Sequence, residues 1–264
     1  MEQITSRKNP ICTHFRKLAS SRAYREETGE MLCDSPKLLE EASLWGGHRI
    51  HTVLYTQGVK LPVYDDCTAR EIQVTESVME SVSPMKTPQG VVFSCAAPTL
   101  RLPGELKRES ERYLTWRQCL VLDGVQDPGN VGTILRTADA FNCGPVFLLP
   151  GCADANSPKA VRAAMGVHFR QVIYQCTLEE LTDLLGKAGI PLYAAALGEN
   201  TADVREADLS SAAVVIGSEG RGVSREVLAA CAGTLKIPMS RRCESLNAAV
   251  AAAVILWEMG RGKL

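Results

Sequence analysis

The sequence predicts an α/β protein of two domains, the second built on a mostly parallel sheet with helices on both faces. The chain has 264 residues, which is long for one compact domain and sufficient for two. From residue 117 onward apolar strand-like segments alternate with helical ones, a pattern typical of a parallel sheet. A charged stretch separates this part from a smaller α/β part. We therefore assign residues 1–105 to a first domain, 106–116 to a linker and 117–264 to a second domain.

The first domain is predicted from a few short elements. A helix begins at Pro36 and ends at the glycine pair 46–47, and residues 50–55 follow as a strand. A second helix is predicted over 69–81 and a buried strand over 90–95. Ahead of these elements, the first 25 residues carry six Arg and Lys against a single acid. Such a stretch fits a polyanionic partner, and it equally fits the solvated face of a helix.

The second domain has a longer series of elements. Strands are predicted at 119–122, 146–149, 172–174, 192–196, 213–216 and 235–237. Helices are predicted at 131–142, 158–165, 178–187, 225–231 and 245–260. Ligands of such sheets bind beyond the carboxyl ends of the strands, and three polar, mostly glycine-bearing loops lie there.

Composition excludes several classes of protein. A hydrophobic content of 45%, 22% charged residues and a net charge of −1 are ordinary for a globular chain. No two of the ten cysteines form a C-x-x-C pair and only four histidines are present, so we expect free thiols and no metal site. No apolar run reaches the roughly 20 residues that span a bilayer, and no export signal is present. We expect a cytoplasmic protein.

One of the three loops, residues 217–225, resembles two nucleotide-binding motifs without matching either. Its glycine spacing is that of a phosphate-binding P-loop, but Val223 occupies the position of the essential lysine. It also begins like a dinucleotide fingerprint, but Arg225 replaces the third glycine. The remaining interpretation is a loop of exposed main chain that can approach a flat ligand closely.

The helix predicted at 131–142 combines a possible cap with an outward cation. Asn130 is placed to cap its N-terminus by accepting from the Thr133 N–H. The buried stripe leaves Arg136 on the opposite side of the helix. Arg136 is therefore either a solvated arginine or a cation presented to a substrate or a second subunit.

Residues 246–257 are apolar on all sides, which surface helices avoid. We expect this helix to be covered on more than one face, either deep in the domain or at a dimer interface. Ser245 is a candidate cap, and Asn247 in the first turn is either a cap partner or a site residue.

Together, residues 127–138, 216–222 and 237–247 resemble the three signature motifs of the SpoU/TrmH class of RNA ribose 2′-O-methyltransferases, members of the SPOUT superfamily. These enzymes use S-adenosylmethionine. The resemblance implies a C-terminal trefoil knot and a homodimer with its active site at the subunit interface. It implies cofactor-binding roles for Gly198, Gly217, Ile237 and Leu246. It implies catalytic roles for Asn130, Arg136, Glu219, Ser245 and Asn247, with Arg136 acting beside the partner chain's cofactor.

The first domain resembles the substrate-binding domain of the subgroup acting on ribosomal RNA, which is similar to a small RNA-binding ribosomal protein. Residues 4–10, 36–42 and 87–90 carry this likeness. The chain departs from the family at 32–35, at Ala164 and at 240–243, where two arginines stand in place of a glycine-bearing turn.

The implied function is methylation of a ribose in large-subunit (23S) ribosomal RNA. The alternatives are a tRNA ribose 2′-O-methyltransferase and a non-catalytic RNA-binding assembly factor on the same fold. Candidates for the RNA surface are the basic residues of 7–25, Arg101, Arg241 and Arg242. No histidine lies in the three motifs, so Arg136 acts either as the base or as an electrostatic stabiliser of the developing alkoxide.

Overall fold

The structure is a computed structural model, and it describes residues 2–45, 50–63, 69–98, 100–101, 116–198 and 201–261. Its strands are β1 Glu2–Ile4, β2 Glu30–Cys33, β3 Ile50–Thr56, β4 Arg70–Val74, β5 Val91–Ala96, β6 Leu100–Arg101, β7 Gln118–Asp123, β8 Val146–Leu148, β9 Ile173–Gln175, β10 Leu192–Ala195, β11 Thr201–Asp203, β12 Ala212–Gly217 and β13 Gly233–Lys236. Its helices are α1 Pro10–Ser20, α2 Arg22–Thr28, α3 Pro36–Leu44, α4 Glu76–Val82, α5 Pro128–Ala140, α6 Pro158–Ala164, α7 Leu178–Ala188, α8 Arg225–Ala230 and α9 Ala248–Gly260.

These elements form two compact units. One comprises Met1–Pro98 with Asp154–Arg170, and the other Thr99–Ala153 with Gln171–Leu264. The predicted division cuts the chain near residue 105 only, so it did not anticipate that 154–170 returns to the first unit. The charged connection predicted at 106–116 lies almost wholly outside the described residues, as do the glycines 46–47 predicted to end the first helix.

A five-stranded sheet forms the first unit, in the order β1-β4-β3-β5-β2. β1 and β3 run parallel to β4, whereas β5 is antiparallel to β3 and to β2. Apolar side chains of α1 and α4 form one core cluster with the strands, and those of α3 and α6 form another. The sheet is therefore covered by helices on both faces.

The helix predicted over 69–81 was wrong in its first half. Residues 70–74 form β4, in which Ile72 and Val74 are buried, whereas Glu71 and Gln73 are not. This period of two is that of a strand. The helix begins only after Thr75, whose side chain accepts from the Val78 N–H and so caps α4.

Ion pairs attach the segment Asp154–Arg170 to the rest of the first unit. Arg25, only 6% exposed, pairs with Asp154 at 2.7 Å. Arg162 pairs with Asp34 at 3.0 Å. Burial raises the pKa of the Asp34 carboxyl, and Arg162 opposes that shift. The buried Arg25 is thus a structural residue, and the prediction that it belongs to an RNA-binding surface was wrong.

An eight-stranded sheet forms the second unit, in the order β11-β13-β10-β12-β7-β8-β9-β6. Every pair of neighbouring strands in it is parallel. Cys119 and Val121 of β7 face a core that α7 and α8 complete, and the alternating Leu120 and Leu122 are also fully buried. The prediction of a parallel sheet with helices is confirmed.

All six strands predicted for this unit are present, within two residues of their predicted bounds. β6 and β11 were not predicted because these short strands, Leu-Arg and Thr-Ala-Asp, contain no apolar run. α5 begins three residues before its predicted start, and α9 three residues after. Among the helices of the described ranges, none combines the length and apolar character that crossing a membrane requires.

Candidate active site

The carboxyl edge of the parallel sheet contains a cavity of about 280 Å³. The segments that follow β10, β12 and β13, together with the start of α9, form its walls. Its lining includes Ala196, Leu197, Gly217, Ser218, Glu219, Lys236, Ile237, Met239, Glu244, Ser245 and Leu246. The wall therefore consists of small and aliphatic residues, loop main chain and a few polar side chains at the strand ends, where α/β sheets bind ligands.

The loop after β12 folds back tightly on itself. Ser218 N–H donates to the Gly222 carbonyl at 3.1 Å, and Gly222 N–H donates to the Ser218 carbonyl at 2.9 Å. Gly222 has φ +68°, a conformation that favours glycine. A Cβ on Gly217 would lie 2.2 Å from the Gly222 carbonyl carbon. Only glycine at 217 allows this close return of the chain, which presents bare main chain to the cavity.

Hydroxyl groups hold the loop after β10. Gly198 N–H donates to Thr201 Oγ1 at 2.6 Å, and Thr201 Oγ1 donates to the Gly198 carbonyl at 2.9 Å. Thr234 Oγ1 lies 2.7 Å from Thr201 Oγ1, so β11 and β13 are joined at this point. Gly198 itself is not among the residues that line the cavity, whereas the two residues before it are. The two threonines were not recognised in the sequence because single threonines carry no distinguishing pattern.

Side chains of all three predicted motifs meet in one hydrogen-bonded chain. Asn247 Nδ2 donates to Asn130 Oδ1 at 3.2 Å, and Asn130 Nδ2 donates to Glu219 Oε1. Glu219 also lines the cavity. This arrangement couples the first turn of α5 to the Ser218–Gly222 loop and to the start of α9.

The caps of both helices differ from the predictions. Asp127, not Asn130, caps α5 by accepting from the Asn130 N–H at 2.9 Å, which leaves the Asn130 amide free for Glu219. Asn247, not Ser245, caps α9 by accepting from the Ala249 and Val250 N–H groups. Ser245 instead lines the cavity beside Leu246.

Arg136 lies on the exposed face of α5, as the helical spacing predicted. Among the described residues, its guanidinium has no acidic partner and does not join the Asn130 chain of hydrogen bonds. Helix α9 packs against α5 and β12 on one side. Its other side stays open in the single chain, where Val250 is 49% and Trp257 57% exposed.

The cavity fits a nucleoside-type cofactor such as S-adenosylmethionine. Aliphatic walls suit the faces of an adenine ring, and loop main chain can pair with its polar edge. The carboxylates of Glu219 and Glu244 in the wall suit a cationic centre. No group of three or more His, Cys, Asp or Glu side chains within the described ranges is arranged to hold a metal ion. Fold and cavity together define an α/β enzyme domain that binds a nucleotide-like cofactor.

Comparison with known proteins makes that class specific. Residues 117–257 match the SpoU rRNA Methylase family, and residues 3–92 match the MRM3-like substrate binding domain. The 23S rRNA (guanosine(2553)-2'-O)-methyltransferase RlmP of Bacillus subtilis is 33% identical over 260 residues, or 98% of this chain and 99% of that protein. The human mitochondrial rRNA methyltransferase 3 is 30% identical over 296 residues, 91% of this chain and 70% of that one.

Solved structures agree with the sequence comparison. The AdoMet-bound rRNA methyltransferase from Sinorhizobium meliloti has a TM-score of 0.83 and 28% identity, over 100% of this chain and 98% of that chain. This chain therefore belongs to the SpoU rRNA methylase family. The predicted class, an RNA ribose 2′-O-methyltransferase with S-adenosylmethionine as its methyl donor, is confirmed.

Proposed function

We propose that this enzyme methylates a ribose 2′-oxygen in 23S ribosomal RNA, working as a homodimer with its active site at the subunit interface. The observation that carries the proposal is the cavity lined by the second and third motif segments, to which the Asn247–Asn130–Glu219 hydrogen bonds join the first motif. The match of residues 3–92 to a substrate-binding domain, and the similarity of the chain to RlmP, support ribosomal RNA as the substrate.

The donor is proposed to lie against main chain at Gly217, Ile237 and Leu246, all of which line the cavity. Gly198 would act less directly, through the hydroxyl groups that hold its loop. When bound, S-adenosylmethionine supplies a methyl group on a sulfonium, which a nucleophilic oxygen can displace. The protein must then hold the ribose hydroxyl in line with that methyl group and exclude water.

Arg136 is proposed to stabilise the negative charge that develops on the 2′-oxygen. A guanidinium keeps its proton far above neutral pH, so it serves better as a fixed cation than as a base. Asn130 and Ser245 are proposed to orient the arginine and the ribose. Glu219 is proposed to fix the Ser218–Gly222 loop, since Asn130 donates to its carboxylate.

The dimer is proposed to cover the open face formed by α5 and α9. Trp257 on this face makes a T-shaped contact with Phe141, with ring centroids 5.8 Å apart. Val250 adds to the exposed apolar surface, and burying such surface stabilises association. Arg136 lies on the exposed side of the same α5 helix, which supports its action beside the partner chain's donor.

We also propose that the C-terminal segment forms a trefoil knot. The support is the position of β13 between β10 and β11, and the passage of the following chain along the loops after β10 and β12. α9 then packs on β12 and α5. An experimental map that led this segment outside the loop joining β10 to β12 would refute the threading.

The test is methyl transfer from labelled S-adenosylmethionine to RNA from a strain that lacks this gene. We expect label in 23S ribosomal RNA, resistant to alkaline cleavage at one nucleotide. Label confined to tRNA would favour the tRNA enzyme instead. Tight RNA binding without any transfer would favour an assembly factor. Calorimetry with the donor and light scattering test the cavity and the dimer separately.

A further inference from the structure

A tight turn beside the donor cavity carries two adjacent arginines. Cys243 N–H donates to the Ser240 carbonyl at 3.0 Å, and Arg242 N–H donates to Ser240 Oγ at 3.2 Å. These bonds close a four-residue turn with Arg241 and Arg242 at its two central positions. Both side chains are exposed. The turn therefore projects two guanidinium groups away from the main chain.

The turn belongs to the rim of the cavity. Met239 precedes it and Glu244 follows it, and both line the cavity. A short turn between two wall residues must lie at the cavity mouth. A substrate ribose that reaches the cavity has to pass this mouth with its flanking phosphates.

Neither guanidinium has an ion-pair partner among the described residues. Two other exposed arginines of the same unit do have one, since Arg205 pairs with Asp203 at 2.7 Å and Arg261 with Glu258 at 3.2 Å. Ion pairing therefore leaves the two arginines of the turn free for an external anion. Two adjacent guanidinium forks match the oxygens of phosphate groups in both charge and geometry.

We propose that Arg241 and Arg242 bind RNA backbone phosphates next to the methylated nucleotide. The inference rests on the proposed function, and it names the part of the substrate that this turn recognises. Phosphate contacts position an RNA strand without reading its sequence. The turn would thus hold the strand at the cavity mouth while other surfaces select the nucleotide.

The experiment compares R241Q/R242Q with a control that removes the same charge elsewhere. Lys187 lies in the last turn of α7, just before β10 begins, and Arg261 follows α9, where the Met259 carbonyl accepts from Gln118 at the start of β7. Both therefore lie towards the amino edge of the sheet, opposite the cavity. K187Q/R261Q is the matched control. Affinity for in vitro transcribed 23S RNA is measured at several salt concentrations.

For R241Q/R242Q we expect the slope of log affinity against log salt to fall by about 1.4, at roughly 0.7 for each lost single-strand phosphate contact, and affinity near 150 mM salt to fall about tenfold. R241K/R242K should restore most of the slope because it restores the charge. Donor affinity by calorimetry should stay unchanged. The inference is overturned if R241Q/R242Q behaves like the control, or if it weakens donor binding or dissociates the dimer. Failure of the proposed function is distinct, because the native chain would then transfer no methyl group to ribosomal RNA.

Discussion

Replacing Gly217 with alanine tests whether the folded-back loop after β12 builds the donor site. The added Cβ would lie 2.2 Å from the Gly222 carbonyl carbon and 2.3 Å from the Val223 nitrogen. These are main-chain atoms, so no side-chain rotation relieves the overlap. Since non-bonded carbon atoms lie about 3.5 Å or more apart, the loop segment at Gly222 and Val223 must move away from residue 217 by roughly 1 Å.

That retreat sets the expected magnitude. The two hydrogen bonds between Ser218 and Gly222 measure 3.1 and 2.9 Å, so a shift of this size breaks or badly distorts both. At about 0.5–1.5 kcal/mol each, the loss is about 1–3 kcal/mol. If the loop must regain its shape to bind the donor, affinity falls about 5- to 150-fold. Calorimetric titration with S-adenosylmethionine measures this directly.

Gly220 in the same loop provides the control, because a Cβ there would meet nothing within 4 Å and its φ is not positive. Gly220→Ala should therefore bind the donor within about twofold of the native protein. Donor affinity in Gly217→Ala that matched Gly220→Ala would refute the reasoning. Equal affinities would mean either that the loop changes its conformation without a loss of free energy, or that the donor does not contact the loop.

Asn247→Asp keeps the oxygen that caps α9 but removes the amide N–H that donates to Asn130. We therefore expect an unchanged melting temperature and a large loss of methyl transfer. Methyl transfer equal to that of the native protein would exclude this hydrogen bond from the mechanism. Asp154→Asn leaves the buried guanidinium of Arg25 without its counter-charge and should lower the free energy of unfolding by about 3–5 kcal/mol in urea titrations, whereas a loss below 1 kcal/mol would show that the pair is solvated. Burial opposes ionisation of Glu30, but hydrogen bonds from His14 at 3.2 Å and His51 at 3.1 Å outweigh it and lower the pKa of this carboxyl from 4.5 to about 2. The carboxylate therefore stabilises the fold above pH 4.5, by an amount on the order of 3 kcal/mol, and this is lost as the pH falls toward 2. Urea titrations of Glu30→Gln should show a deficit at pH 6 that shrinks steadily below pH 4.5, and a deficit independent of pH would contradict the assignment.

The parallel sheet was predictable because its strands are buried on both faces and appear as apolar runs. The strand at 70–74 was missed because Ile72 and Val74 alternate over only a few residues and merge with the helix that follows. We predicted Asn130 as the N-cap of α5, but Asp127 caps this helix and Pro128 is its first residue. Proline at the first helical position was the available signal, because it favours the residue before it as the cap.

Contacts between distant residues could not be predicted. The hydroxyl pair Thr201 and Thr234 is separated by 33 positions, and Asn130 and Glu219 by 89. The motifs indicated that these loops share an edge of the sheet, which parallel strand order requires. They gave no information on which side chains would touch, because that depends on loop conformations that local sequence does not encode.

The return of Asp154–Arg170 to the first unit determines how the polypeptide can be divided. Val161 and Phe169 complete an apolar cluster to which Met31, Leu39 and Phe93 contribute from the first hundred residues of the chain. A fragment ending near residue 105 would expose that cluster to water, and the complementary fragment would carry an amphipathic helix with nothing to cover it. Neither fragment is expected to be soluble when expressed alone. Co-expression of both fragments would allow the apolar cluster and the helix to bury each other.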